Sequence, residues 1–398
     1  MTNGQGSTTI WLSSLYFAKG MPRVVIFVIA LLMFRQMGFH VTENLCLVAL
    51  FYLPWVLKVW WKPLVDHSHF YRLWILTMQF LLSLFFALLA FSLSEAWKVI
   101  GLLIAISWFT AVHNVAADGF ARLRPLAYRH SIVQELFRKF ALIVGQGILL
   151  VLAGNLQVFY RHDMLYAWRV LFYFLSGIFM LLFFWHVWTL PRSRREAFDT
   201  SVVQQMSGEG WSRGVLFLLF YAFAQAMVGK VSILFLVDTF RNGGVGLSPQ
   251  EFGFVMGIVG IVALTVGGLL GTKAIGRFGL RKCLWPMTLS MLVPCVVYVA
   301  LSYWQPRSLM IVGLCVLAEQ LTYGFGFAAY LSYLKQIGNR EMGKSLMALS
   351  LLLGCLVSGL LLQLMDYNAF FVLVQGLSVL TLLSVYFHLF LPMNQRQK

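Results

Sequence analysis

Residues 73–93 read LWILTMQFLLSLFFALLAFSL, an unbroken run without Asp, Glu, Lys or Arg. Wound as an α-helix at about 1.5 Å per residue, such a run is about 30 Å long, the thickness of a bilayer's hydrocarbon core. Similar runs stand on both sides of it. Before it come Trp11–Gln36 and Glu43–Leu64. After it come Trp97–Arg122, Gln134–Leu156, Trp168–Leu190, Arg213–Phe240, Ser248–Thr272, Cys283–Tyr303, Ser308–Leu334, Met342–Met365 and Tyr367–Leu391. The pattern predicts an all-α, polytopic membrane protein with twelve transmembrane helices.

Composition agrees. Of 398 residues, 60% are hydrophobic and 11% charged, against about 25% charged in soluble domains. The net charge of +16 has no polar domain to sit on, so nucleic acid is not an expected partner and the lipid bilayer is. Met1–Thr9 is polar without Lys or Arg, a poor signal-peptide start, so the first apolar run is expected to remain as a span. Cys46, Cys283, Cys295, Cys315 and Cys355 lie in or beside apolar runs without CxxC spacing. Neither a zinc site nor a disulfide framework is expected from them. No phosphate-binding loop, HExxH or acidic metal cluster occurs, so no metal, no cofactor and no ATP-driven step is expected. Gly267-Gly268-Leu269-Leu270-Gly271 and Gly324-Phe325-Gly326 read as small-residue helix contacts.

Lys and Arg orient the chain. With both termini cytoplasmic, the inner connections hold Arg122, Arg124, Arg129, Arg138 and Lys139, then Arg192, Arg194 and Arg195, then Lys273, Arg277, Arg281 and Lys282. The outer ones hold only Arg35, Lys98, Arg161, Arg169, Arg241 and Arg307. The positive-inside rule therefore favours cytoplasmic termini. The sole extended polar stretch, Pro191–Ser212, reads as a cytoplasmic linker at 191–212 between halves at 1–190 and 213–398. The halves carry traces of a repeat. Phe17-Ala18-Lys19-Gly20-Met21 is echoed by Phe223-Ala224-Gln225-Ala226-Met227, and at the same offset Phe34-Arg35 by Phe240-Arg241. Two pseudo-symmetric six-helix halves follow.

Gly271-Thr272-Lys273-Ala274-Ile275-Gly276-Arg277-Phe278-Gly279-Leu280-Arg281-Lys282 resembles the loop signature of the major facilitator superfamily, with Gly276 where an Asp is common. Lys58-Val59-Trp60-Trp61-Lys62-Pro63-Leu64-Val65-Asp66 is similar to the K-x-x-W-x-P-L-x-D stretch of the AmpG-type muropeptide permeases. Tyr16-Phe17-Ala18-Lys19-Gly20-Met21-Pro22 resembles that family's Y-F-x-x-G-L-P. His113-Asn114-Val115-Ala116-Ala117-Asp118 resembles its helix-four acidic motif, with Asp118 on the second acidic position and Asn114 on the first. The resemblance implies the major facilitator fold, a monomer, and a solute site at the membrane midplane between the halves. It also implies proton-coupled import of anhydro-muropeptides, used in peptidoglycan recycling, through a bacterial inner membrane. Siderophore importers and acetyl-CoA transporters are relatives.

Ionisable residues inside spans cost at least about 2.5 kcal/mol each at the helix centre, so each needs a reason. Lys19 and Arg23 share a face of the first helix, with Gly20 and Pro22 between them loosening it. Lys230 holds nearly the symmetric place on the seventh helix. These three suit an anionic substrate, or else snorkel or form structural ion pairs. Glu319 on the tenth helix is either a proton carrier or a fixed partner of Lys230 or Arg23. Asp118, with His113 as relay, is read as proton-coupling. Asp66, Arg122, Glu135, Arg138 and Arg277 are read as a cytoplasmic gate, against a permanent salt-bridge network. Gln146 and Tyr323 are candidate sugar contacts. A ferric siderophore is the second substrate reading. The rival class is an intramembrane acyltransferase built on His113 and Asp118, and the repeat of two halves argues against an enzyme. The orientation predicts that a cysteine at Arg277 is labelled by an impermeant reagent from the cytoplasmic side only, and one at Arg307 from the opposite side only.

Overall fold

The computed structural model describes residues 2–68, 70–123, 128–161, 163–191, 211–336 and 340–390. They are all-helical, without strands, and most of the predicted linker, 192–210, lies outside them. Among the described residues eleven helices are long and apolar enough to cross a bilayer, and a broken pair, counted as one span, makes a twelfth. In chain order these are α1 (Thr8–Gln36), α2 (Val41–Val56 with Lys58–His67), α3 (Tyr71–Phe91), α4 (Ala96–Arg122), α5 (Ile132–Phe159) and α6 (Met164–Thr189). Then come α7 (Phe217–Val237), α8 (Pro249–Phe278), α9 (Leu280–Trp304), α10 (Leu309–Lys335), α11 (Glu341–Leu361) and α12 (Tyr367–Tyr386). The protein is a multi-pass membrane protein. The expected ends fall within a few residues of the observed ones. The break in α2 at Leu57 follows Pro54, whose missing N–H and bulky ring interrupt the helical ladder.

At several helix ends, side chains satisfy backbone groups that the helix leaves unpaired. Asp163 accepts from Tyr166 N at 3.0 Å to start α6, and Asp366 accepts from Ala369 N at 3.0 Å to start α12. Ser248 and Glu251 form a capping box at α8. At the other end of α6, Arg72 donates to Val187 O at 2.7 Å and to Leu190 O at 3.1 Å. Exposed aromatics gather at helix ends: Phe91, Trp97, Phe159, Trp188 and Trp304. That is the placement expected of rings at the two membrane–water interfaces. Trp60 is exposed too, whereas Trp61 packs on Trp108 with ring centroids 6.2 Å apart.

The chain divides into two compact units. One comprises residues 1–37, 57–199 and 248–258; the other comprises 38–56, 200–247 and 259–398. In the first, Trp11, Leu12 and Leu15 of α1 pack with Ile75, Val115 and Phe120. Some 83% of the apolar window of α1 is buried, against 28% for α6. α1 is thus a core helix whose polar side chains must find partners inside the protein. It crosses α5 closely, since a Cβ on Gly20 would stand 2.6 Å from Ala141 Cβ, and one on Gly145 3.0 Å from Val24 Cβ. Just past Pro22, α1 widens into a π turn over Val25–Ile29, and α5 does so over Ile143–Ile148. The predicted loosening at Gly20 and Pro22 is therefore a local widening within a continuous helix.

In the second unit Phe217, Tyr221, Leu284, Met287, Tyr330 and Tyr333 form the core. Here α8 and α10 touch backbone to backbone. A Cβ on Gly324 would lie 3.0 Å from Gly268 N, and one on Gly271 2.7 Å from Ala328 Cβ. The two glycine stretches singled out in the sequence face each other. Gly324→Val is expected to force these backbones apart and lower stability by about 1–3 kcal/mol, read as a lower thermal midpoint of the purified protein. Gly177→Ala on α6, where a Cβ meets nothing within 4 Å, should leave the midpoint in place. Equal midpoints for the two variants would rule out this packing.

Candidate functional site

Tyr16 and Lys19 lie three residues apart on α1 and so share a face. Both reach Asp118 on α4. Lys19 Nζ forms an ion pair with Asp118 Oδ1, and Tyr16 OH donates to the same oxygen at 3.2 Å. The ammonium also stands 5.0 Å from the centroid of the Tyr16 ring, in cation–π position. The side chains of Lys19 and Asp118 are 12% and 22% exposed. Two residues assigned in the sequence to separate tasks, anion binding and proton coupling, are thus one charge-neutral unit. Arg23, one turn further along α1, is half-buried.

Of the proposed gate residues, Arg122 and Arg138 lie within electrostatic reach of Tyr16 and Glu135 within reach of Lys19. Arg122 Nε donates to the backbone oxygen of Asp118, 3.3 Å away on its own helix. Glu135 and Arg138 pair with each other along α5, with Arg138 Nη2 2.5 and 2.7 Å from the two carboxylate oxygens. Asp66 is buried, pairs with Lys62 one turn before it, and accepts from Tyr71 OH at 2.8 Å. The Tyr71 ring packs against Gly119, where an added Cβ would clash with it. Arg277, in the second unit, stacks over Phe278 at 5.3 Å.

His113 is fully buried, and its Nε2 lies 3.0 Å from Gln79 Nε2 on α3. It and Asp118 have the five-residue separation an acyltransferase pair would need, yet each is engaged with different groups. Gln146 sits in the π turn of α5, half-buried, with its side-chain amide making no hydrogen bond among the described residues.

In the second unit Glu319 is 5% exposed. Its carboxylate accepts from Gln320 Nε2 at 2.8 and 3.0 Å and makes no ion pair among the described residues. Of the two readings of Glu319, a fixed ion pair is therefore absent. Tyr298, Cys295 and Tyr323 lie within electrostatic reach of it. Tyr323, one turn along α10, stacks near Phe327 at 5.4 Å. Lys230 on α7 is half-buried within reach of Cys355. Gln225, the counterpart of Lys19 in the repeat, donates to Met291 O at 2.6 Å and serves packing.

Sequence reasoning missed Tyr16, Tyr71, Tyr298, Gln79 and His186. The cost argument that singled out buried charges applies to neutral polar groups as well. A Gln or His within an apolar run is the signal that would have found two of them.

No family model matches the chain. An uncharacterized protein of Haemophilus influenzae is 24% identical over 319 residues, covering 72% of this chain and 71% of its own. Among solved structures, the nucleoside transporter NupG superposes with a TM-score of 0.70 at 13% identity, covering 96% of this chain and 98% of that one. A D-xylose-proton symporter gives a TM-score of 0.71 at 15% identity, covering 98% and 99%.

Breaking a buried ion pair from one side is more damaging than removing it whole, because a lone buried charge costs about 3–5 kcal/mol. Lys19→Met and Asp118→Asn should each lower the thermal midpoint. The double variant should unfold above both. A double variant that merely sums the two losses would show that the residues act separately. With twelve apolar spans, no strands among the described residues and two such superpositions over nearly its whole length, the chain has the fold of the major facilitator transporters.

Proposed function

We propose that this protein is a proton-coupled secondary transporter that imports an anionic cell-wall amino-sugar fragment, an anhydro-muropeptide or a relative. It would act as a monomer in a bacterial inner membrane, with both termini cytoplasmic and the halves 1–190 and 213–398 joined by the linker. The observation that carries the reading is the Lys19–Asp118 pair in the core of the first unit. A permanently neutral unit needs no charge, and apolar side chains of like volume would hold α1 and α4 together at least as well. A cation that must sometimes face an anion, and sometimes not, needs a resident carboxylate to hold it in between. A proton on Asp118 removes that carboxylate's charge and leaves the Lys19 ammonium to the solute. This links uptake of one proton to binding of one anion.

Glu319 supplies the second half of the reading. With no cation beside it, the neutraliser open to its carboxylate is a proton, which makes it a candidate carrier in the second unit. Arg23 and Lys230 add positive charge for the solute, and Gln146 and Tyr323 offer an amide and a hydroxyl to sugar groups. Asp66, Arg122, Glu135, Arg138 and Arg277 would steady the cytoplasmic ends in one state and part in another. The superposed structures named as a nucleoside transporter and a D-xylose-proton symporter support a small polar solute and, in the second, a proton. Local likeness to the AmpG-type permeases in α1, α2 and α4 favours the muropeptide. A ferric siderophore would use the same cations.

The test is uptake of labelled anhydro-muropeptide into proteoliposomes with and without an inward proton gradient. Accumulation should need the gradient. Glu319→Gln and Asp118→Asn should abolish accumulation while sparing exchange of solute across the membrane. Undiminished gradient-driven accumulation in both variants would remove their coupling role. Accumulation of a siderophore instead would reassign the solute.

A further inference from the structure

Four polar side chains in the apolar core of the first unit join into one hydrogen-bonded chain. Ser14 Oγ on α1 is 2.9 Å from His186 Nε2 on α6. His186 Nδ1 is 2.9 Å from Gln79 Oε1 on α3, and Gln79 Nε2 is 3.0 Å from His113 Nε2 on α4. Gln79, His113 and His186 are entirely buried. Trp185 Nε1 donates to Ser14 at 3.2 Å, at the partly exposed end.

Donor and acceptor rules give this chain a direction. An amide nitrogen only donates and an amide oxygen only accepts. His113 therefore accepts at Nε2 and carries its proton on Nδ1. His186 donates from Nδ1 and accepts the Ser14 hydroxyl at Nε2. Every inner atom is paired. At the open end, His113 Nδ1 and Asn114 Oδ1 are both buried and lie within reach of each other, but neither makes a hydrogen bond of good geometry among the described residues. An orphaned buried polar group costs about 1–3 kcal/mol and calls for a state that uses it.

The same atoms support the opposite direction. Turning the Gln79 amide over presents its oxygen to His113 and its nitrogen to His186. His113 then holds a proton on both nitrogens. His186 accepts at Nδ1 and donates from Nε2 to Ser14, whose hydroxyl turns to Trp11 O, already 3.1 Å away. The change takes up one proton from solvent, and His186 keeps one N–H, moved from Nδ1 to Nε2 by exchange at the Ser14 end. No bond to carbon changes and nothing is oxidised. A second proton has no place, because two imidazolium rings would compete for the single Gln79 oxygen.

The charged groups within electrostatic reach of His113 are Lys19 on α1 and Asp118 on its own helix, with His186 across the chain. We propose that His113, braced by Gln79 and His186, is a proton-binding site whose charge replaces Lys19 as the counter-ion of Asp118, releasing Lys19 to an anionic solute. The release step rests on the transport reading above; the proton site does not. In this arrangement His113, in place of Asp118, takes the proton that is traded for an anion while Asp118 stays ionised, and Gln79 and His186 become positioning residues that limit the trade to one.

Nitrogen-15 NMR of histidine-labelled full-length protein in lipid nanodiscs, titrated without solute, tests this. The His113 ring should pass from one N–H to two, while His186 stays at one and changes tautomer. Single His113→Gln and His186→Gln variants assign the signals. The His113 transition should move in opposite directions in Lys19→Met and Asp118→Asn. A His113 ring that stays neutral wherever the fold persists overturns the proposal, and so do two rings that charge together. His113→Gln keeps an acceptor for Gln79 without a proton site, and should lose gradient-driven accumulation while retaining exchange. Titration of His113 in a protein that transports nothing would keep the site and remove the transport reading. Uptake with a silent His113 would do the reverse.

Discussion

A charge in a bilayer core must have company inside the protein, and in the first unit that requirement falls on Lys19. α1 is too deeply buried for its ammonium to reach lipid headgroups, so the helix can sit where it does only if another element brings a carboxylate to it. Asp118 does so from α4, and Tyr16 adds a hydroxyl and a ring face to the same contact. The position of α4 relative to α1 is thereby set by chemistry as well as by packing. Beside this contact, glycines let α1 and α5 approach where a larger residue would hold them apart.

The second unit resolves the same physical problem differently. Among the described residues Glu319 accepts from the one amide of Gln320 and makes no ion pair, and Tyr298 and Tyr323 lie within electrostatic reach of it. The repeat in the sequence does not repeat its electrostatics: Lys19 is matched by Gln225, which serves a backbone carbonyl. Two halves of like shape with unlike charges allow one carboxylate to be governed by an ion pair and the other by its neutral surroundings.

The spans and the backbone punctuation were legible from the amino-acid sequence because lipid imposes a length and apolarity that few other constraints mimic. Pro22 announced the irregular place in α1, whereas the break in α2 after Pro54 was not anticipated. The candidate site was legible only as a set of costly residues. That Lys19 and Asp118 meet depends on the crossing of helices nearly a hundred residues apart, which periodicity does not encode. How Arg122, Glu135 and Arg138 relate to the Lys19–Asp118 contact was likewise not legible from their sequence spacing. Residues near one another in sequence at a helix end satisfy each other locally, by i,i+3 and i,i+4 contacts, before they reach across to another helix. Gln79 and His186 were overlooked because neutral polar residues barely disturb a hydropathy profile.

The backbone contact between α8 and α10 bears on how this sequence can drift over generations. Within Gly267-Gly268-Leu269-Leu270-Gly271, the glycines at 267 and 271 face a neighbouring backbone and admit no side chain. Leu269, between them, is 67% exposed and touches little protein. Adjacent codons therefore experience opposite selection: any change at Gly267 or Gly271 is felt by the whole helix pair, while at Leu269 almost any apolar residue will serve. In an alignment of descendants, the stretch would read as fixed points separated by free ones, with the spacing of a helical turn.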